Sequence, residues 1–318
     1  MTSIECRHLL LSKLKTLITS DYILLDLPYF TNIGDVLIWQ SAVELLKEIP
    51  YKCLYSASIE TYHPIKIESS TIILFMGGGN YGDLWERHQI FRRKVLMDYP
   101  LNRVIQLPQS VHFNDQEKFQ CDIKFMDAHP GGITICLRER KSFDIIRQNY
   151  QKVSALLLPD LVLSFDLKNY CIKHKIEIKK GQGSLLVRRR DAEQNETTEF
   201  LTKIPEDADV ADWPTMIKRP KILEIYNKYL FWLRRFHCGE RVQNWYTDFF
   251  YKRYIKDAYI QEGIRFLNPY SIVYSTRLHS AILAFLMEKE VILFDNSYGK
   301  CKGVYDEWMS DQSHIQMI

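Results

Sequence analysis

Short, continuously apolar runs alternate with amphipathic stretches through the first half of the chain. Residues 22–27, 72–76, 104–107, Ile133–Leu137 and 155–158 are apolar on both faces, the pattern of buried strands. Residues 36–48, 84–99, 115–126 and 142–150 fall between them and read as helices. Alternation of this kind predicts a parallel sheet covered by helices on both faces. The pattern weakens at 166–182, a Lys-rich, partly polar stretch that reads as a domain crossing. A second set follows: strands at Ser184–Val187 and 209–213, helices through Gln261, then strand, turn, helix and strand over 271–294. The expectation is an α/β protein of two Rossmann-like, doubly wound domains with a central cleft. They divide into residues 1–168 and 169–318, the last helix crossing back. In such sheets ligands sit beyond the carboxyl ends of the strands.

Composition narrows the class without naming a function. Among 318 residues, 46% are hydrophobic and 25% charged, ordinary for a globular protein, and the length suits two cores. A net charge of +3 and the lack of a Lys/Arg block argue against nucleic acid. Charges interrupt the apolar positions of residues 1–20, so no signal peptide is expected, and no run of about 18 apolar residues suggests a membrane span. The seven cysteines are scattered without C-x-x-C spacing, which suits a reducing cytoplasm and argues against metal.

Candidate chemistry lies at the strand ends. In Tyr274-Ser-Thr-Arg-Leu-His-Ser280, Ser275 or Thr276 can cap the following helix, placing Arg277, Leu278 and His279 in its first turn. A helix N-terminus favours anions, so an arginine there points to an anionic substrate. The bland reading pairs Arg277 with a distant carboxylate and packs His279 under the sheet. Asn32, Gly34 and Asp35 follow the first strand; Asp35 is a helix cap or a base for a substrate hydroxyl. Gly77, Gly78, Gly79 and Asn80 leave backbone amides open to an anion or sugar, or form a sharp turn; no dinucleotide or P-loop fingerprint is present. Arg138 and Arg188 each end a strand and can grip carboxylate or phosphate, with Arg140, Arg189 and Arg190 as solvated neighbours or salt-bridge partners. Gln109, Ser110 and Asp160 shape the same edge, although Gln109 or Asp160 could be purely structural.

Taken in order, Asn-x-Gly-Asp (32–35), Gly-Gly-Gly (77–79), Pro-Gln-Ser (108–110), Leu-Arg-Glu-x-x-Ser (137–142), Leu-Pro-Asp (158–160) and Thr-Arg-Leu-His (276–279) resemble the polysaccharide pyruvyl transferase family. The resemblance runs from about residue 24 to 294; between 191 and 267 nothing aligns. It implies a GT-B-like fold, with acceptor in the first domain and donor in the second. The implied reaction moves the enolpyruvyl carbons of phosphoenolpyruvate onto a sugar, of galactose type and lipid-linked, to close a ketal and release phosphate. The resemblance assigns Arg277 and His279 to the donor; the reaction needs an acid and a base, for which His279 (acid or phosphate contact) and Asp35 (base) are the candidates. Asn32, Gly34, Gly78, Gly79, Asn80, Gln109, Ser110, Arg138, Arg188, Thr276 and Leu278 bind substrate. Phosphoenolpyruvate is a co-substrate, and no cofactor or metal is required. Competing expectations are a GT-B nucleotide-sugar glycosyltransferase and an inert saccharide-binding paralogue.

One stretch stands apart. Residues 226–256 hold eleven aromatics and seven Lys/Arg against Glu240 and Asp248 alone. Such composition suits a peripheral membrane contact, at the inner face of the cytoplasmic membrane if the acceptor is lipid-diphosphate-linked. The alternative is helices that pack their aromatics inward and turn their arginines out.

Overall fold

The computed structural model describes residues 1–189, 202–218, 220–296 and 299–318. Twelve strands occur among them: β1 (Tyr22–Leu25), β2 (Cys53–Ala57), β3 (Ile72–Phe75), β4 (Gly78–Gly82), β5 (Val104–His112), β6 (Ile133–Leu137), β7 (Val153–Leu157), β8 (Ser184–Val187), β9 (Asp209–Ala211), β10 (Ile272–Ser275), β11 (Glu290–Leu293) and β12 (Ile315–Met317). The helices up to the crossing are α1 (Ser3–Leu17), α2 (Ile33–Leu46), α3 (Glu86–Asp98), α4 (Gln116–Asp127), α5 (Arg140–Asn149) and α6 (Leu167–His174). Those after it are α7 (Pro214–Ile217), α8 (Lys221–Arg235), α9 (Glu240–Phe250), α10 (Lys256–Leu267), α11 (Leu278–Leu286) and α12 (Lys300–Trp308).

Two parallel sheets result, as the alternation of apolar runs and helices requires. The first has the order β2-β1-β3-β5-β6-β7, with β4 added beside β5, and the second β12-β11-β10-β8-β9. Chain direction across each sheet reverses once, between β1 and β3 in the first and between β8 and β10 in the second. These are the topological switch points where doubly wound sheets place ligands. Buried Ile23, Leu25, Ile73, Phe75 and Ile135 fill the first core with Phe91, Val95 and Leu96 of α3. In the second, Leu185, Val273 and Leu293 are buried together with Ala281, Ile282 and Leu283 of α11 and Ile260 and Ile264 of α10.

The chain separates into two compact units that exchange segments. The first comprises Met1–Leu27, Ser41–Phe165 and Gly303–Asp311; the second Pro28–Gln40, Asp166–Lys302 and Gln312–Ile318. Pro28–Gln40, which a division at residue 168 puts in the first domain, therefore packs with the second. The reason is local: Tyr29 stacks on Tyr251 at 4.3 Å, and the γ-methyl of Ile33 lies where a Cβ on Gly263 would come within 2.9 Å. β5 also outruns its apolar stretch, continuing through Pro108 to His112. Proline has no N–H for a ladder, and the register of β5 against β6 slips between Gln106 and Gln109, so Pro108 falls at an irregularity that spares it.

Candidate functional site

The switch point of the second sheet carries most of the chemistry. β8 and β10 are parallel neighbours, and beyond their ends run Arg188-Arg189 and Thr276-Arg277. Thr276 fastens the two: its N–H donates to Val187 O (3.1 Å), and its hydroxyl accepts from the Arg189 N–H (2.8 Å). Ser275 and Thr276 do not cap α11, as the sequence suggested. Ser275 Oγ instead accepts from the Arg277 N–H at 2.9 Å, and Arg277 occupies the N-cap position with no side-chain cap. His279 is thus the second helical residue. Leu278 is buried in the core and offers the site only its backbone.

The Arg277 guanidinium is only 4% exposed and engages Asp212 with both edges of its fork, Nε to Oδ1 and Nη2 to Oδ2 at 2.8 Å. Nη2 also approaches the Met216 sulfur. The distant-carboxylate reading therefore holds for Arg277, and Asp212, which sequence reasoning missed, is that partner. Its only advance signal was an acid inside the strand read at 209–213. α7 between them is tied forward, Thr215 Oγ1 donating to Thr31 O. Arg188 differs: it is half-buried and forms no ion pair among the described residues. Of the arginines expected as solvated neighbours or salt-bridge partners, Arg189 is buried, whereas Arg140 is exposed and pairs with Glu307. Arg190 lies outside the described residues.

Two motifs 244 positions apart in number meet at this edge. Asn32 opens α2: its Oδ1 accepts from the Gly34 N–H (3.0 Å), and its Nδ2 donates to Asp35 Oδ2 (2.6 Å). Asp35 is half-buried, its carboxylate in the first turn where the helix dipole favours negative charge. A Cβ on Gly34 would stand 2.6 Å from His279 Nδ1 and 2.9 Å from its Cβ. The missing side chain at Gly34 is what lets the His279 ring lie against the first turn of α2. The structure thus brings Asn32, Gly34, Asp35, Thr276, Arg277 and His279 together in one unit, Arg188 following the adjoining strand.

The candidates of the first unit turn inward. Arg138 is fully buried, donating from Nη1 to Asp160 Oδ2 (2.6 Å) and from Nε to Ser110 Oγ (2.8 Å). Ser110 Oγ donates in turn to Glu139 Oε2 (2.9 Å). These side chains bind one another in an internal ion pair and its hydrogen bonds. The glycines likewise serve backbone packing: a Cβ on Gly77 would fall 2.3 Å from Pro108 O, and Gly78 and Gly79 belong to β4 rather than an open loop. Asn80 Oδ1 accepts from Gln109 Nε2 (2.6 Å) and Arg92 Nη2 (2.5 Å). The Gln109 amide oxygen is buried without a partner among the described residues, a place for a substrate hydroxyl or water to donate.

At the switch point of the first sheet, sequence reasoning also missed Asp26. It follows β1 in a left-handed conformation (φ 66°), with Oδ1 2.8 Å from His88 Nδ1 and Oδ2 3.3 Å from Arg92 Nη2. Burial lowers the Arg92 pKa, opposed by the Asp26 charge beside it. An acid inside the otherwise apolar run 22–27 was the available signal.

The profile of the family described as Polysaccharide pyruvyl transferase matches residues 32–298. The chain belongs to that family. Among curated relatives, EpsO of Bacillus subtilis (strain 168), provisionally named a pyruvyl transferase, is 27% identical over 311 residues, covering 94% of this chain and 88% of the relative. General stress protein 30 of the same organism is 26% identical, covering 91% of this chain and 78% of its own length. Pyruvyl transferase 1 of Schizosaccharomyces pombe is 30% identical across 44% of this chain and 37% of its own. The crystal structure of a functionally uncharacterised Klebsiella pneumoniae protein shares the fold, with a TM-score of 0.63, 19% identity and coverage of 100% and 99% of the two chains. This family member is a transferase of polysaccharide biosynthesis with an α/β fold. Among its described residues no helix is long and apolar enough to cross a membrane.

Proposed function

We propose that this pyruvyl transferase uses phosphoenolpyruvate as donor and closes a pyruvate ketal on a galactose-type sugar carried on a lipid diphosphate at the inner face of the cytoplasmic membrane. The observation that carries the reading is the seating of His279 against Gly34, one residue from Asp35. It puts a candidate acid and a candidate base on adjoining helix N-termini, where anions are favoured.

In this scheme protonated His279 delivers its proton to the methylene carbon of phosphoenolpyruvate, leaving an oxocarbenium-like centre at C2. A sugar hydroxyl adds to C2 and gives its proton to Asp35. The C2–O bond to phosphate then breaks, Asp35 returning its proton to the departing phosphate oxygen. A second hydroxyl closes the ketal, and its proton restores His279. Arg188 and the first-turn amides of α11 hold the phosphate or carboxylate, while Arg277, taken up by Asp212, positions the turn that carries His279.

The test is incubation with phosphoenolpyruvate and lipid-linked or simple galactosides. The expected product is heavier by pyruvic acid less one water, with one phosphate released per product. Release of a nucleoside diphosphate from a nucleotide sugar, with phosphoenolpyruvate untouched, would replace this reading by glycosyl transfer.

A further inference from the structure

The aromatics of α8, α9 and the turn after them divide between two faces. Tyr226 and Tyr251 are buried, and Tyr246 and Phe250 pack with them, Tyr226 and Tyr246 stacking at 5.6 Å. The rest face outward. Along α8 and its C-cap, Ile225, Tyr229, Trp232 and Phe236 recur at helical spacing and are exposed, Phe236 to 71%, with Phe231 beside them. On α9, Val242, Trp245 and Phe249 form a second exposed stripe, Trp245 at 65%. Rings touch along each stripe, Trp232 on Phe236 at 5.7 Å and Trp245 on Phe249 at 5.6 Å. Six exposed aromatic rings on two packed helices exceed the scattered apolar residues of an ordinary surface.

Charge selects the occupant. Residues 221–254 carry seven Lys/Arg against three Asp/Glu, a net of +4 in a chain whose whole net is +3. Lys228, Arg234, Arg235 and Arg241 are exposed, and none forms an ion pair among the described residues. Rings that favour the water–hydrocarbon boundary, with unneutralised cations among them, fit an anionic lipid surface. We propose that the outward faces of α8 and α9 dock this protein on anionic membrane. The surface is braced to the candidate site within the same unit: Tyr29, three residues before Asn32, donates its hydroxyl to Asp248 of α9 at 2.8 Å. Docking does not depend on the donor proposed above, so it is measured with neither substrate present.

The full chain is sedimented with vesicles of phosphatidylcholine alone or mixed with phosphatidylglycerol, over a salt series. The expected result is binding to the anionic vesicles that weakens as salt screens it, with Trp emission shifted to the blue and quenched by brominated lipid. Replacing Lys228, Arg234, Arg235 and Arg241 with Gln should weaken binding roughly five-fold per residue. Trp232→Ser with Trp245→Ser should abolish the blue shift while circular dichroism stays unchanged. No vesicle binding at any salt, or equal binding to neutral vesicles insensitive to salt, overturns the proposal. So does a dimer in solution that the two Trp→Ser changes dissociate without vesicle binding, which would assign the face to a second copy of the chain.

Discussion

Gly34 is the residue whose size controls the site. A methyl there would overlap the His279 ring, so Gly34→Ala must turn the ring or shift the start of α2. Displacements near 1 Å can cost about a hundred-fold in rate, and that is the loss expected in kcat, with the melting temperature nearly unchanged. Full activity would show that His279 takes no part in the chemistry. The two arginines should separate by assay. Asp212→Asn keeps the shape but strips the Arg277 guanidinium of its buried counter-charge, so urea unfolding should show a loss of about 3–5 kcal/mol. Arg188→Gln breaks no ion pair among the described residues, so stability should hold while phosphoenolpyruvate affinity falls. The opposite pattern would exchange their roles. The sequence made both arginines equally good anion ligands. Only the fold shows that one of them is spoken for by a carboxylate 65 positions earlier.

Elements were legible where apolar runs were continuous and bounded, as at β6 and β8, whose observed limits match the sequence reading. β4 was not, because Gly-Gly-Asn-Tyr-Gly offers a strand only one large side chain, and its place beside β5 follows from close backbone approach. Gly82 is the clearest case: its φ is +126°, and a Cβ would fall 1.8 Å from His112 O. Gly82→Ala should cost at least about 1–3 kcal/mol from backbone strain alone, read as a lower urea midpoint; an unchanged midpoint would mean that β4 does not hold this register. The start of α11 was misread for a related reason. Ser275 and Thr276 are both good capping residues by type, but their hydroxyls are used to tie β10 to β8 and to close the turn.

At the scale of the molecule, two parallel sheets could be foreseen from alternation, whereas the passage of Pro28–Gln40 to the second unit could not, since it rests on tertiary contacts such as Tyr29 with Tyr251. Thiol chemistry checks the packing. Burial pushes Cys6 and Cys136 up to about 12, so at pH 8 both stay protonated and inert, while Cys53 and Cys121 are exposed. Mass-mapped alkylation at pH 8 should label Cys53 and Cys121 in the native protein and reach Cys6 and Cys136 only after unfolding. Early labelling of either buried thiol would contradict the cores as described.

Whether residues 32–35 and 277–279 form one reacting site is decided by a double-mutant cycle on product formation from phosphoenolpyruvate and a saccharide acceptor. Asp35→Asn and His279→Gln should each slow turnover, and residues that act as a unit lose little more when both are changed. The double variant is therefore expected to be about as slow as the slower single variant. Losses that multiply would place Asp35 and His279 in separate roles and contradict the shared site.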